Sequence, residues 1–267
     1  MSTFNGSRFL GEQIDSILGQ SYSDFRLMIR DDGSVDDTRE IIGRYAKRDP
    51  RVVAITDDLG AMGAGRSFLR LVEIFEAQFF MLADQDDIWL PDKIKASHEA
   101  ITEMLSTHGE SVPLIAFTDL RVVDAELREI DPSMWHYQRL DPQIAADWRD
   151  LLAQNVVTGC TIIGNRAAAN AAIPFALPEM MHDHWIAVNA AKYGTVAPIP
   201  KATVLYRQHG QNVAGGIRFG SKYAAAKTVG IWQRFDTYSR AARHFGGVSA
   251  ASLMRRKLAL NLRRLFS

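Results

Sequence analysis

The apolar positions of roughly the first 120 residues alternate between helical and extended spacing. In SRFLGEQIDSILGQ, Leu10, Ile14, Ile17 and Leu18 recur at helical intervals behind Ser7, which suits an N-cap. FRLMIR (25–30) is an extended apolar run that stops at the turn-forming Asp31-Asp32-Gly33-Ser34. A helix near 37–47 follows through Ile41, Ile42 and Tyr45, then a strand at RVVAIT (51–56). The glycine-rich AMGAGRSF leads into a helix through Phe68, Leu71, Val72 and Phe75. FFMLA (79–83) is the next strand. Pro91 then opens a helix through Ile94, Ile101 and Leu105, where a first-turn residue has no N–H partner to lose. LIAFT and LRVVD are strands. This βαβ rhythm predicts an α/β fold with a mostly parallel sheet and helices on both faces.

The second half is less regular. DWRDLLAQNVVTGCTIIGNRAAANAAI predicts a helix, a strand around 158–163 and a short helix. MHDHWIAVNAAKYG puts Trp185 and Val188 on one helical face and stops at Gly194. VLYRQHGQNV is a strand end that runs into a polar loop. The opening MSTFN is only the tail end of a possible strand. A central strand missing there would leave two neighbours with unpaired backbone groups and an open slot in the core. The expectation is that the reading frame upstream of Met1 supplies those apolar residues.

The 267 residues and 47% hydrophobic content suit a packed globular chain. Cys160 is the single cysteine, so no disulfide can form within the chain, which fits a reducing compartment. The net charge of zero hides a split. Ile217–Ser267 holds 11 Lys/Arg and one acid, Asp236, which leaves 20 bases and 30 acids ahead of it. The tail LMRRKLALNLRRLF places Leu253, Leu258, Leu262 and Leu265 near one helical face with arginines around the rest. This reads as a helix on an anionic membrane surface, or as a solvated basic helix; no nucleic-acid-binding module accompanies it.

LADQDDIWLPDK (82–93) crowds Asp84, Asp86, Asp87 and Asp92 at a strand end, with only Lys93 as local compensation. Loops at strand carboxyl ends form the ligand crevice of parallel sheets, and Asp31/Asp32 lie at a second such end. Carboxylates converging there suit a hard divalent cation, Mg²⁺ or Mn²⁺, which in turn holds a diphosphate. The plainer reading is a solvated acidic loop with Asp87 or Asp92 capping the next helix. His182, His184 and His209 could suggest zinc, but no cysteine or acid completes a familiar zinc spacing.

TFNGSRFLGEQIDSILGQSYSDFRLMIRDDGSVDDT together with LADQDDIWLPDK resembles the family 2 glycosyltransferases of GT-A fold, close to their rhamnosyltransferase-like bacterial subgroup, over roughly residues 2–215. The resemblance implies a GT-A-type, mostly parallel (mixed) sheet flanked by helices. It implies a glycosyltransferase domain over 1–216, with a nucleotide-binding half to about 120 and an acceptor half beyond, followed by a basic helical extension over 217–267. Thr3, Phe4 and Asn5 match the segment at the nucleotide base, with Phe4 in place of a tyrosine. Asp32 matches the acceptor of the uracil or thymine N3–H. Asp84-Gln85-Asp86 matches the DxD motif, with Asp86 on the metal and Asp84 on the ribose or the metal's water shell. Asp183 in MHDHW matches the catalytic base, with His182 in place of an acidic neighbour; without the resemblance, Asp183 reads as a helix cap. In YRQHG, Arg207 matches a phosphate contact and His209 a metal or diphosphate ligand, although a lone histidine is more often structural. Thr158, Gly159, His182 and Trp185 match the acceptor or sugar pocket. Ser67 stands where the family often has an asparagine.

The implied activity is an inverting, metal-dependent transfer of a sugar, L-rhamnose from dTDP-rhamnose in this subgroup, to a surface-glycan or lipid-linked acceptor. It would run in the cytoplasm or at the inner face of the cell membrane. Two alternatives remain at this point: a UDP-sugar transferase of the same fold, and a non-catalytic remnant that acts by binding.

Overall fold

The computed structural model describes residues 1–210 and 235–266. The chain runs β1 (Ser2–Thr3), α1 (Leu10–Leu18), β2 (Leu27–Asp31), α2 (Thr38–Arg48), β3 (Val52–Ile55), α3 (Ala64–Ile74), β4 (Phe79–Met81), β5 (Ile88–Trp89), α4 (Lys93–His108), β6 (Leu114–Val123) and β7 (Glu129–Asp131). It continues through α5 (Met134–Tyr137), α6 (Trp148–Ala153), β8 (Ile162–Asn165), α7 (Arg166–Ala171), α8 (His182–Tyr193), β9 (Thr195–Arg207), α9 (Phe235–Phe245) and α10 (Ala250–Phe266).

The strands form two sheets. β1-β2-β3 is parallel throughout. The larger sheet is ordered β4-β8-β6-β9-β5, with β7 on β6; its β6–β9 pairing is parallel and the rest antiparallel. The α/β fold and mixed sheet follow the expectation: the first sheet is all parallel, and the larger sheet is antiparallel apart from its long β6–β9 pairing. A cavity of about 890 Å³ lies between β2 and β4, lined by Leu27, Met28, Phe68, Val72, Phe80 and Leu82 among others.

Several local expectations are corrected. Ser7 is not a cap: α1 starts behind Phe9, and the Ser7 N–H instead donates to Asp36. LIAFT and LRVVD are one strand, β6, carried past Thr118–Arg121 by register shifts against β9. The strand expected around 158–163 begins later, because Gly159–Thr161 forms a 3-10 turn ahead of β8. β9 extends back through Pro198 and Pro200 to Thr195. Prolines are tolerated there because β5 pairs only with Val204 and Leu205, leaving the earlier part of β9 an edge on that side.

The C-terminal helices belong to the body of the protein. Tyr238, Ala241 and Phe245 of α9 and Leu253 and Leu260 of α10 join one core with α3, α6 and α8. The proposed boundary at 216/217 lies outside the described residues, as does the charge-rich stretch 217–234.

Candidate active site

β1 and β2 run in parallel, so their carboxyl ends open side by side. Phe4 follows β1 and is 56% exposed, free to present its ring to a base. Asn5 takes a left-handed φ of 48°, donates from its N–H to Ser34 Oγ and accepts from the Val35 N–H with its side chain. Thr3 is buried, and its hydroxyl donates to Asp31 at 3.1 Å.

Asp32 does not stand open to a base. It is buried, with Oδ1 accepting from Arg30 at 2.7 Å and the Met62 N–H at 2.9 Å, and Oδ2 from the Gly63 N–H at 2.7 Å. Its carboxylate ties β2 to the glycine-rich loop. Asp31 accepts from Thr3, Ser34, the Gly33 N–H and Arg39. Burial alone would raise the Asp31 carboxyl, but the hydrogen bonds from Ser34 and Arg39 hold it below the usual range. Ser67 is enclosed with Ser2 and Arg30.

β4 delivers the second acidic group. Asp86 and His209 meet, Oδ2 to Nε2 at 2.7 Å, although 123 residues separate them. Behind them lie Asp84, Asp87 and Cys160, with one potential ligand atom of each within 4.8 Å of the others. Burial and the charges of Asp86 and Asp183 push the Asp84 carboxyl up to about 7. Asp87 is fully buried and pushed up by burial and by Asp84 and Asp86; its Oδ2 has no hydrogen-bond partner. Its Oδ1 accepts from the Arg207 N–H, so Asp87 supports the site and Asp92 is the residue at the α4 N-cap position.

Arg207 is not poised for a phosphate. It is 2% exposed, and its guanidinium donates to the Asp86 carbonyl, the Ala125 carbonyl and Glu12 Oε2. It straps the acidic loop to α1 and to the turn that follows β6.

Asp183 lies in the first turn of α8, one residue inside the helix rather than at its cap, which is Met181. It accepts from the His184 N–H at 2.6 Å and the Gly159 N–H at 3.2 Å. Burial pushes its carboxyl up to about 6 against those hydrogen bonds. Gly159 allows this close approach: a Cβ there would lie 3.2 Å from His182 Nε2 and 3.4 Å from Asp183 Cβ. His182 is buried and stacked on Phe68 at 4.1 Å, with neither ring nitrogen partnered. Burial lowers its pKa to about 3, so it is neutral. Thr158 precedes the turn, and its carbonyl accepts from Thr161. Trp185 is 1% exposed; its indole N–H donates to the Ala172 carbonyl and its ring packs on Phe175 and Phe245. It is a core residue.

Three residues named in the sequence without a role have partners at the site. Gln85 clamps the acidic loop to the Phe4 backbone in both directions, accepting from its N–H at 2.8 Å and donating to its carbonyl at 3.0 Å. Gly6 leaves the room, since a Cβ there would fall 2.3 Å from Gln85 Oε1. Cys160 abuts the carboxylates, and burial with Asp87 keeps it a thiol. Lys93 is fully buried, its Nζ 4.7 Å over the Trp89 ring, with its pKa lowered to about 8 by burial. The sequence shows Gln85 only as the middle residue of the DxD motif and Lys93 only as the local cation; the partners of all three required the fold.

A cation fits this chemistry. Asp84, Asp86 and His209 offer oxygen and imidazole donors, repulsion raises Asp84, and Asp87 keeps an orphaned oxygen behind them.

Residues 1–108, which include both acidic strand ends, match the family described as Glycosyl transferase family 2. The dTDP-rhamnosyl transferase RfbG of Shigella flexneri is 27% identical over 84% of this chain and 76% of its own. The UDP-Glc:alpha-D-GlcNAc-diphosphoundecaprenol beta-1,3-glucosyltransferase WfgD of Escherichia coli is 30% identical over 36% of each chain. Among solved structures, the mannosyltransferase PcManGT of Pyrobaculum calidifontis, in complex with GDP-Man and Mn²⁺, aligns with a TM-score of 0.64 at 13% identity, covering 99% of this chain and 69% of its own.

Proposed function

Since the chain is a family 2 glycosyltransferase with the GT-A fold, we propose that it is an inverting, metal-dependent enzyme that moves L-rhamnose from dTDP-rhamnose onto a surface-glycan or lipid-linked acceptor at the inner face of the cell membrane. The donor rests on the likeness to RfbG, and the lipid-linked acceptor on the likeness to WfgD. The observation that carries the mechanism is that both Asp86 and Asp183 lie near enough to Asp84 for their charges, with burial, to push its carboxyl up. A cation-type donor set and a proton acceptor therefore share one site, beside the exposed ring of Phe4.

Asp86, His209 and Asp84 would hold Mg²⁺ or Mn²⁺, which supplies positive charge to the leaving diphosphate. Phe4 stacks on the base, and Gln85 keeps that shelf registered to the acidic loop. Asp183 takes the proton from the acceptor hydroxyl as that oxygen bonds to C1 of the sugar. The bond from C1 to the diphosphate breaks on the opposite face, its electron pair leaves with the diphosphate, and the anomeric centre inverts. Gly159 and the His184 N–H orient the Asp183 carboxylate, while burial keeps it basic enough to accept a proton. Thr158 and the unpartnered His182 ring stand beside it on the sugar side.

The test is a nucleotide-sugar screen scored by nucleoside diphosphate release, with Mn²⁺ and with chelator. Asp183→Asn should keep nucleotide binding and lower transfer by at least about 10²-fold. Because Asp183 must be ionised to act, kcat/KM should rise with pH through about 6. Turnover of UDP-sugars alone would reassign the donor, and nucleotide binding without turnover of any donor would reduce the protein to a binding role.

A further inference from the structure

The sequence pattern put Leu253, Leu258, Leu262 and Leu265 on one face of the last helix. The structure divides them. Leu253 and Leu260 are buried against the body, and Arg264 turns inward to the Gln138 carbonyl. Arg256 is drawn to Asp147 at 3.2 Å and to Asp150. The opposite face of α10 carries Leu258, Leu262 and Leu265, which are 42%, 48% and 40% exposed. Their spacing of four and three residues sets them in one row along the outside of the helix. Arg255 and Arg263 are exposed along the same side, and the helix contains no acid.

We propose that this outer face of α10 is a docking surface for an anionic lipid bilayer, with the three leucines entering the headgroup–acyl boundary and Arg255 and Arg263 meeting the headgroups. Two features favour a bilayer over a second copy of the chain. An apolar row flanked only by cations matches a surface that is apolar beneath and anionic above. A copy laid on the same row would set Arg255 and Arg263 against their own counterparts, with no carboxylate on either helix to receive them. The neighbouring Asp147 and Asp150 are already paired with Arg256, so the acids of α6 beside the helix are compensated where they would otherwise repel the headgroups. No described helix is long and apolar enough to cross a membrane, so α10 would lie along the surface. The inference rests on the membrane-borne acceptor proposed above, but its test needs neither donor nor acceptor.

Truncating the tail would strip Leu253 and Leu260 from the core, so substitution is the cleaner probe. Full-length protein, the triple variant Leu258→Gln/Leu262→Gln/Leu265→Gln and the double variant Arg255→Gln/Arg263→Gln would be sedimented with phosphatidylglycerol–phosphatidylcholine vesicles and with pure phosphatidylcholine vesicles. The wild type should favour the anionic vesicles, the leucine variant should lose at least about 10-fold in partitioning, and the arginine variant should lose several-fold together with its salt dependence. Melting temperature and dTDP binding should stay unchanged, because all five side chains are exposed. Wild-type partitioning by the leucine variant would overturn the proposal. So would a wild-type dimer in solution that the leucine variant converts to monomer, since that would assign the face to a second copy. Failure of the transferase reading would appear separately, as no donor turnover by protein that still binds vesicles.

Discussion

β2 and β4 both release clustered aspartates from the end of an apolar strand, and the two clusters are held in opposite ways. At the end of β2 every carboxylate has donors: Asp32 takes Arg30 and two loop N–H groups, and Asp31 takes Ser34, Arg39 and Thr3. At the end of β4, Asp84, Asp86 and Asp87 face one another and Asp183, and the buried cation nearby, Lys93, makes no hydrogen bond to them. The first cluster closes on itself and holds the fold. The second crowds carboxyls that burial and mutual repulsion push up, a strain that a bound cation would relieve. Adjacent acids at a strand end are therefore ambiguous until their donors are known.

The contrast breaks most visibly at Asp86. Asp86→Asn should lower metal-dependent transfer at least about 10²-fold while leaving the metal-free melting temperature unchanged or raised, because a repelling charge goes. Full activity in that variant, or Mn²⁺-linked nucleotide affinity equal to wild type, would make the second cluster as structural as the first.

Asp32→Asn is the mirror experiment. It leaves the buried Arg30 guanidinium short of one partner, although Asp57 still pairs with it at 3.0 Å. Loss of about 3 kcal/mol of stability is expected by denaturant unfolding. A change below about 0.5 kcal/mol would mean that the first cluster does not hold the fold.

The pH dependence should have opposite sign at the two ends. Asp31 is held below its ordinary value, so its contribution is present above the unfolded pKa of 3.8 and is lost on acidification. Asp84 is raised from 3.8 to about 7, so its contribution is full in acid and disappears as pH rises through about 7. Metal-free protein should therefore lose stability between about pH 4 and pH 7, Asp84→Asn should remove part of that slope, and Mn²⁺ should offset it. Thermal melts across this range would show it; a slope unaltered by Asp84→Asn would remove Asp84 as its source.

The smallest effect concerns the link between the two ends. Gln85→Ala deletes both hydrogen bonds to Phe4, worth about 1 kcal/mol together at an exposed position. Donor KM should rise about five-fold with kcat little changed. Equal loss in kcat and kcat/KM would place Gln85 in the transition state instead of in positioning.

The regular elements were legible because each needs only neighbours in sequence. Leu10, Ile14 and Ile17 announce α1 by period, and FRLMIR and FFMLA announce β2 and β4 by composition. The acidic loop, Asp183 within MHDHW and Phe4 were equally visible, since the resemblance attaches to short motifs. β9 was half hidden because Pro198 and Pro200 argue against a strand unless one edge is open, and an open edge belongs to the sheet. Arg207, Asp32 and Trp185 were matched to the ligand by motif, and only the structure shows which partners each already has within the protein.

What the sequence alone determined was the α/β order, the two acidic strand ends and the residue types able to bind a cation and accept a proton. What only the tertiary structure decided was which charges are already neutralised and which face of a helix remains outside. Arg30 meets Asp57 across 27 positions, Asp86 meets His209 across 123, and α10 buries Leu253 while exposing Leu258. Hydrogen bonding and desolvation depend on distances of a few ångströms, and packing between remote segments sets those distances, so a local pattern can name the participants without showing which of them are already paired.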